Sequence, residues 1–340
     1  MGKVSRVNYC QYLLSSQINY TLTNFADHVD GLSHDEVNRY LLENKLSPRL
    51  LWEHVSEDIA MSENGYFLFD DTVIDKNSSF KINLVRRQYS GNSHSVIKGI
   101  GLVTAVYVNP DLNLNWVIDY RVFDPDGDGK TKIDHVEDML NHAIYKKELT
   151  FKTVLMDSWY STHKLMLQVE DLGKLYYCPI KKNRLANDIP EIVKKKKEYQ
   201  SVEDLNWTKC ELSSGKIVNI NQFPKNHKAK LFQITVSTRR TDFILTNDMD
   251  QNSSEDVRDV CAIRWKIEEF HREMKQLTGL EKCQCRKARI QRNHIACAML
   301  VWVKMKKEAR RFGKTIYQIK KGLLENYLIS ELRSPTIAFA

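Results

Sequence analysis

The stretch CAIRWKIEEFHREMKQL, residues 261–277, decides the reading of the fold. Ile263, Ile267, Phe270, Met274 and Leu277 recur at helical spacing and form one apolar stripe, the mark of a helix packed against a core. At about 100° per residue, Arg264, Glu268 and Lys275 fall within roughly 40° of one another on one flank of that stripe. Glu269 falls on the other flank with Trp265. The helix therefore carries a carboxylate between two cations along one edge. A solvated face with Arg264 and Glu268 as an i,i+4 pair, worth only a few tenths of a kcal/mol, accounts for the same spacing.

Upstream, the pattern changes from helical to strand-like. YFLFDDTV (66–73), LVTAVYVN (102–109) and WVIDYRVF (116–123) are rich in β-branched and aromatic residues and are separated by turn-forming segments. A helical pattern over 134–147 follows, then the strand KTVLMDS (152–158) and a further helix near 163–172. This alternation predicts a mixed α/β layer. Two of the strands carry aspartates at their ends: Asp71 in FLFDDTV and Asp157 in VLMDSWY. A carboxylate there is costly to bury unless it is hydrogen-bonded, paired or bound to a cation, although Asp also begins turns for purely local reasons.

Residues 174–247 are lysine-rich and strand-prone (LYYCPIKKN, KIVNINQF, KLFQITVS, TDFILTN), which reads as a β-rich basic insertion between two α/β pieces. Tyr176, Tyr177, Trp207 and Phe232 within it read as sheet packing, with Trp207 the exception that can stack on an unpaired base. Residues 1–60 read as short helices, with a Ser33/Glu36 capping box and Pro48 at a helix start, a unit that suits either packing or DNA binding. A second long helix is expected over 293–311, with 248–315 completing the α/β core and 316–340 a C-terminal tail.

The chain has 340 residues and a formal net charge of +8, from 51 basic and 43 acidic residues. The basic residues cluster, in Lys194, Lys195, Lys196 and Lys197 and across 286–311, so a polyanionic partner is favoured over a membrane. The longest apolar run, 295–303, is too short to span a bilayer. Seven cysteines without framework spacing point to reduced thiols in a cytoplasmic protein, and the Cys283/Cys285 pair lacks the second half of a zinc site. Asp124-Pro-Asp126-Gly-Asp128 imitates the start of a calcium loop, but His135 occupies the position of its closing glutamate. It reads as a polar turn.

RWKIEEFHREMK resembles the signature of insertion-sequence DDE transposases, Tyr-x-x-Arg-x-x-x-Glu-x-x-x-x-x-x-Lys. Arg264, Glu268 and Lys275 stand at the matching positions, and Cys261 stands in place of the tyrosine. Asp71 before Thr72 resembles the family's first aspartate motif and Asp157 its second, so the similarity covers about residues 60–310. The choice of Asp71 over Asp70 rests on the resemblance. It implies an RNase H-like mixed sheet with flanking helices, a helical N-terminal domain and a β-rich insertion before the Glu-bearing helix. It also implies a catalytic triad of Asp71, Asp157 and Glu268 holding two Mg²⁺ ions, with Mn²⁺ as a substitute, and DNA transposition as a homodimer on terminal inverted repeats and target DNA. Arg264, Arg272 and Lys275, with the lysine run 194–197, are the expected DNA contacts. The location implied is cytoplasmic and nucleoid-associated. The rival readings are a metal-dependent nuclease without strand transfer and a repurposed, non-catalytic DNA-binding protein.

Overall fold

The structure is a computed structural model that describes residues 4–337 except 80, 92, 189–198, 226 and 238–239. Four short helices come first: α1 (Arg6–Ser15), α2 (Leu22–Asp27), α3 (His34–Glu43) and α4 (Pro48–Val55). Ser5, Thr21 and Ser33 cap the first three through their side chains, and the Ser33/Glu36 capping box is formed. None is long enough to be stable alone. Tyr9, Leu13, Phe25, Val37, Leu41, Leu51 and Val55 are buried in a core shared with the long C-terminal helix.

Strands then follow: β1 (Tyr66–Asp75), β2 (Arg86–Ser90), β3 (Ser95–Asn109) and β4 (Leu114–Val122). A one-turn helix α5 (Pro125–Asp128) replaces the expected polar turn, and α6 (Lys132–Tyr145) leads to β5 (Thr153–Leu155). After α7 (His163–Asp171) comes β6 (Leu175–Ile180). β1, β3 and β4 form an antiparallel meander, while β5 pairs in parallel with β1 and β6 in parallel with β5. The order β4-β3-β1-β5-β6, with that mix of directions, is the RNase H-like arrangement. LYYCPI, grouped with the insertion on composition, supplies the fifth core strand because it follows a crossover helix and pairs with β5.

The remaining strands continue the sheet outward: β7 (Leu185–Asn187), β8 (Gln200–Ser201), then after α8 (Lys209–Ser214) β9 (Lys216–Ile220), β10 (Ala229–Ser237) and β11 (Arg240–Thr246). β11 pairs antiparallel with β6, so the inserted residues extend the core sheet edge to edge. Tyr176, Tyr177 and Phe232 are buried, as sheet packing requires, and Trp207 is half-buried with Lys216 Nζ 5.8 Å from its ring.

The helix expected through 261–277 is two helices, α9 (Ser254–Ile263) and α10 (Trp265–Leu277), divided at Arg264 by a tight turn in which Ile267 donates to the Arg264 carbonyl. α11 (Ala288–Phe312), α12 (Ile316–Gly322) and α13 (Glu325–Arg333) complete the chain, so much of the expected tail is helical. Gly279, just past α10, has φ of +69°, and a side chain there would collide with the Tyr20 ring. Glycine lets the helical N-terminal unit close over the end of α10.

Side chains alternate across β1. Leu68 and Ile74 enter the core formed with α10 and α11, together with Ile267, Phe270 and Met274. Phe67 and Phe69 enter the second core, under α6 and α7, with Met139, Leu140, Leu165 and Met166. The sheet thus has two chemically separate faces, and each residue of β1 is committed to one of them. Among the described residues, no helix is long and apolar enough to cross a membrane.

Candidate active site

The β1/β5 register sets Leu68 opposite Leu155. Asp70 stands two residues further along β1, with the parity of Leu68 and Ile74 and so on the face covered by α10, and Asp157 stands two residues past the end of β5. Burial, joined by the neighbouring charges of Asp157 and Asp71, pushes the Asp70 carboxyl up to about 8 against the pull of Arg264. Burial, with the charge of Asp71, also raises Asp157, countered by the Tyr160 amide, by Arg264 and by the Trp159 amide, the two amides donating to its Oδ1 at 3.1 and 2.9 Å. Two such carboxylates, side by side and short of cations, are an electrostatic deficit of the protein alone.

Arg264 sits at the α9/α10 junction and reaches both sides of this gap. Its Nη2 lies 2.5 Å from Glu268 Oε1 and its Nη1 lies 3.9 Å from Asp70 Oδ2. One helical turn beyond Glu268, His271 Nε2 meets Thr104 Oγ1 at 2.7 Å, and Thr104 Oγ1 also donates to the Asp70 carbonyl at 3.3 Å. Burial holds the His271 imidazole neutral, down to about 3. Thr104 and His271 thereby tie α10 to the strand that carries Asp70.

Asp71, the first aspartate of the sequence-based triad, faces the opposite way. Its Oδ2 lies 2.5 Å from Lys132 Nζ at the start of α6, and its Oδ1 accepts from the Tyr160 hydroxyl at 2.9 Å. The period of two along a strand separates neighbouring residues onto different faces, so Asp71 is placed away from the α10 face while Asp70 takes the place beside Asp157. Lys275 is largely covered, donating to the Val73 carbonyl at 2.8 Å with Glu281 at 3.7 Å, and burial lowers its pKa. Arg272 is exposed, its guanidinium stacked 5.7 Å over Trp265. Lys194–Lys197 lie outside the described residues. Cys261, in the signature's tyrosine position, is half-buried, its thiol pushed up to about 12 by burial.

Among the described residues, no three acidic, histidine or cysteine side chains converge closely enough to enclose a metal ion, and Glu268 is paired with Arg264. The donor set nevertheless fits a hard divalent cation: paired carboxylate oxygens, and in Asp70 a carboxyl that burial and like charge have made reluctant to ionise.

A protein-family model described as "Transposase DDE domain" matches residues 70–304. The chain belongs to that family. This transposase is accordingly an enzyme of DNA cleavage and strand transfer, of a metal-dependent class. No curated protein matches its sequence. Among solved structures it is similar to the piggyBac transposase synaptic complex with hairpin DNA, with a TM-score of 0.48 and 10% identity over 98% of this chain and 73% of that one. It is also similar to the Drosophila P element transposase strand transfer complex, with a TM-score of 0.29 and 10% identity over 50% of this chain and 37% of that one.

Strand alternation is the signal that separates Asp70 from Asp71, since Phe67 and Phe69 share the parity of Asp71. Nothing in the local sequence points to Lys132, Tyr160, Thr104 or His271, whose roles arise from pairings of 34 to 167 residues' separation.

Proposed function

We propose that Asp70, Asp157 and Glu268 form the catalytic carboxylate set of this transposase and hold two divalent cations, Mg²⁺ or Mn²⁺ in its place. The observation that carries this reading is that Asp70 on β1 lies within reach of the charge of Asp157, just past the end of the adjacent parallel strand β5, while Arg264 links Asp70 to Glu268 on α10. Bound there, such ions polarise the scissile phosphate and ease departure of the leaving oxygen. Asp70 and Asp157 would hold the ions from the strand ends, and Glu268 would supply the third set of oxygens on parting from Arg264. Arg264 is then free to turn its donors to a phosphate of the DNA strand. The carboxylates accept the coordination, while the neutral His271 and Thr104 keep α10 in register without adding charge.

The substrate is DNA at transposon ends: water attacks first, and the released 3′-hydroxyl then attacks target DNA. Asp157→Asn is expected to abolish Mg²⁺-dependent nicking while leaving DNA affinity unchanged. Strand transfer is tested with a pre-cut 3′-hydroxyl end and a plasmid target, where cutting without joined product identifies a nuclease. The homodimer on paired terminal repeats rests on the family resemblance, and mass photometry of the protein–DNA complex tests it.

A further inference from the structure

A cavity of about 1210 Å³ opens on the side of the molecule between α4, β4, α6 and the start of α11. Seven of the side chains lining it are Lys or Arg and two are Asp. The deepest cations are already matched, since Arg121 and Lys147 share the buried Asp119 and Arg292 holds Asp124. At the rim Arg49 is paired with Glu53 at 2.8 Å. Among the described residues, no acidic partner is found for Lys45, Lys146 or Arg289, which come from three different elements of the wall.

Two helices also begin at this cavity. Ser47 at the start of α4 and Lys287 at the start of α11 make no side-chain cap hydrogen bond, so first-turn amides of α11 are left uncapped at or near its wall, and in α4 only that of Arg49, since Pro48 has no N–H and Leu50 donates to the Ser47 carbonyl. Each such end carries roughly half a positive charge. His135 supplies a further and independent sign of a missing ligand. It is only 3% exposed and lines the cavity, yet neither ring nitrogen is hydrogen-bonded, Asp128 coming no nearer than 3.5 Å to Nε2. Buried polar atoms are rarely left in that state.

We propose that this cleft seats the sugar–phosphate backbone of DNA at a distance from the scissile bond. The assignment rests on the transposase reading above for its ligand and is separate from it in location. Asp71, Val103 and Arg121 lie on one rung of the sheet, as do Asp70, Thr104 and Tyr120. Two strand spacings put Tyr120, on the cleft's floor, roughly 10 Å from Asp70 along the rung, about three base-pair steps of B-DNA. Backbone and not base is the recognised chemistry. The cleft's indole, Trp52, already carries Lys147 Nζ at 5.3 Å over its ring, and the free groups are donors suited to phosphate.

The test uses the full chain with Lys45, Lys146 and Arg289 all changed to Glu, against a control in which the exposed Lys81, Lys209 and Lys225 are changed to Glu for the same change in charge. A thermal melt checks that both variants fold, and a triple change to Gln reports the loss of charge without reversal. Binding of a fluorescent 30-base-pair duplex of arbitrary sequence is followed across a salt series. The cleft variant is expected to bind at least about thirtyfold more weakly, with the slope of log affinity against log salt reduced by about three, one for each phosphate no longer neutralised. The Gln triple is expected to show the same reduction in slope. Unchanged affinity and slope in the cleft variant overturn the proposal, as does an equal loss in the control. Nicking by Asp157→Asn would instead overturn the carboxylate assignment and leave the cleft standing.

Discussion

Asp70 and Asp71 are neighbours in the chain and opposites in their surroundings. Asp71 is compensated by the protein itself, with an ammonium at 2.5 Å and a phenol at 2.9 Å. Asp70 faces another carboxylate, and its nearest cation, Arg264 at 3.9 Å, is held more closely by Glu268 at 2.5 Å. Burying an ionised carboxylate costs several kcal/mol unless a partner offsets it. On one face of the sheet the fold supplies that partner. On the other it leaves the charge to something from outside, which is the condition a cation-dependent site requires.

The sharpest way to break this contrast is to neutralise each aspartate in turn. Asp70→Asn is expected to lower metal-dependent nicking about a thousandfold or more, as removal of a ligand in a two-metal site does, whereas Asp71→Asn stays within about tenfold of the parent. Plasmid relaxation in Mn²⁺ measures both. The opposite ranking would restore Asp71 to the site and show that the strand's facing changes when metal and DNA bind.

The stability of the two faces should differ in the reverse sense. Lys132→Met leaves Asp71 partly buried with Tyr160 as its remaining partner, and about 2–3 kcal/mol of stability is expected to be lost. Adding Asp71→Asn should recover most of it, because the stranded charge is gone. Arg264→Met on the other face is expected to cost less than about 1 kcal/mol, its pair with Glu268 being about 30% exposed on both sides. Urea denaturation of the parent and the three variants gives the comparison, and equal costs for Lys132→Met and Arg264→Met would erase it.

The amphipathic stripe of α10 was legible from sequence because Ile267, Phe270, Met274 and Leu277 repeat at the helical period and are all buried. The strands bearing the aspartates were legible for the same kind of reason, from β-branched and aromatic runs. The break at Arg264 was not, since its backbone angles remain helical (φ −56°, ψ −26°) and no proline or glycine marks it. The alternation that puts Phe67 and Phe69 under α6 and α7 sets Asp71 on their side of the sheet and Asp70 on the other, whereas the family resemblance favours Asp71. Lys132, Tyr160 and His271 could not be read at all, because their partners are fixed by strand pairing and helix docking and not by local spacing.

The smallest effect concerns the face of Asp70 and its buried histidines. His294 is fully buried on α11 between the Tyr9 hydroxyl at 2.8 Å and the Gly279 carbonyl at 3.0 Å, and burial lowers its pKa from the ordinary 6.5 to about 4. A pKa depressed by folding means that the unfolded chain binds the proton first. The stabilisation from a neutral His294 is therefore complete above pH 6.5 and is lost as the pH falls through about 4. Asp70 has the opposite sign over part of this range: its folded pKa of about 8 is raised, so its contribution is complete below the unfolded carboxylate range and is lost as the pH rises through 8. The two slopes partly cancel in the parent, so the informative quantity is a difference. Between pH 6 and 5, the stability gap between the parent and His294→Gln should narrow by about 1 kcal/mol, since glutamine cannot take up the proton. Parallel stability curves for the two proteins over that interval would mean that His294 is not held neutral by burial, and that the helical core is wetter than its packing indicates.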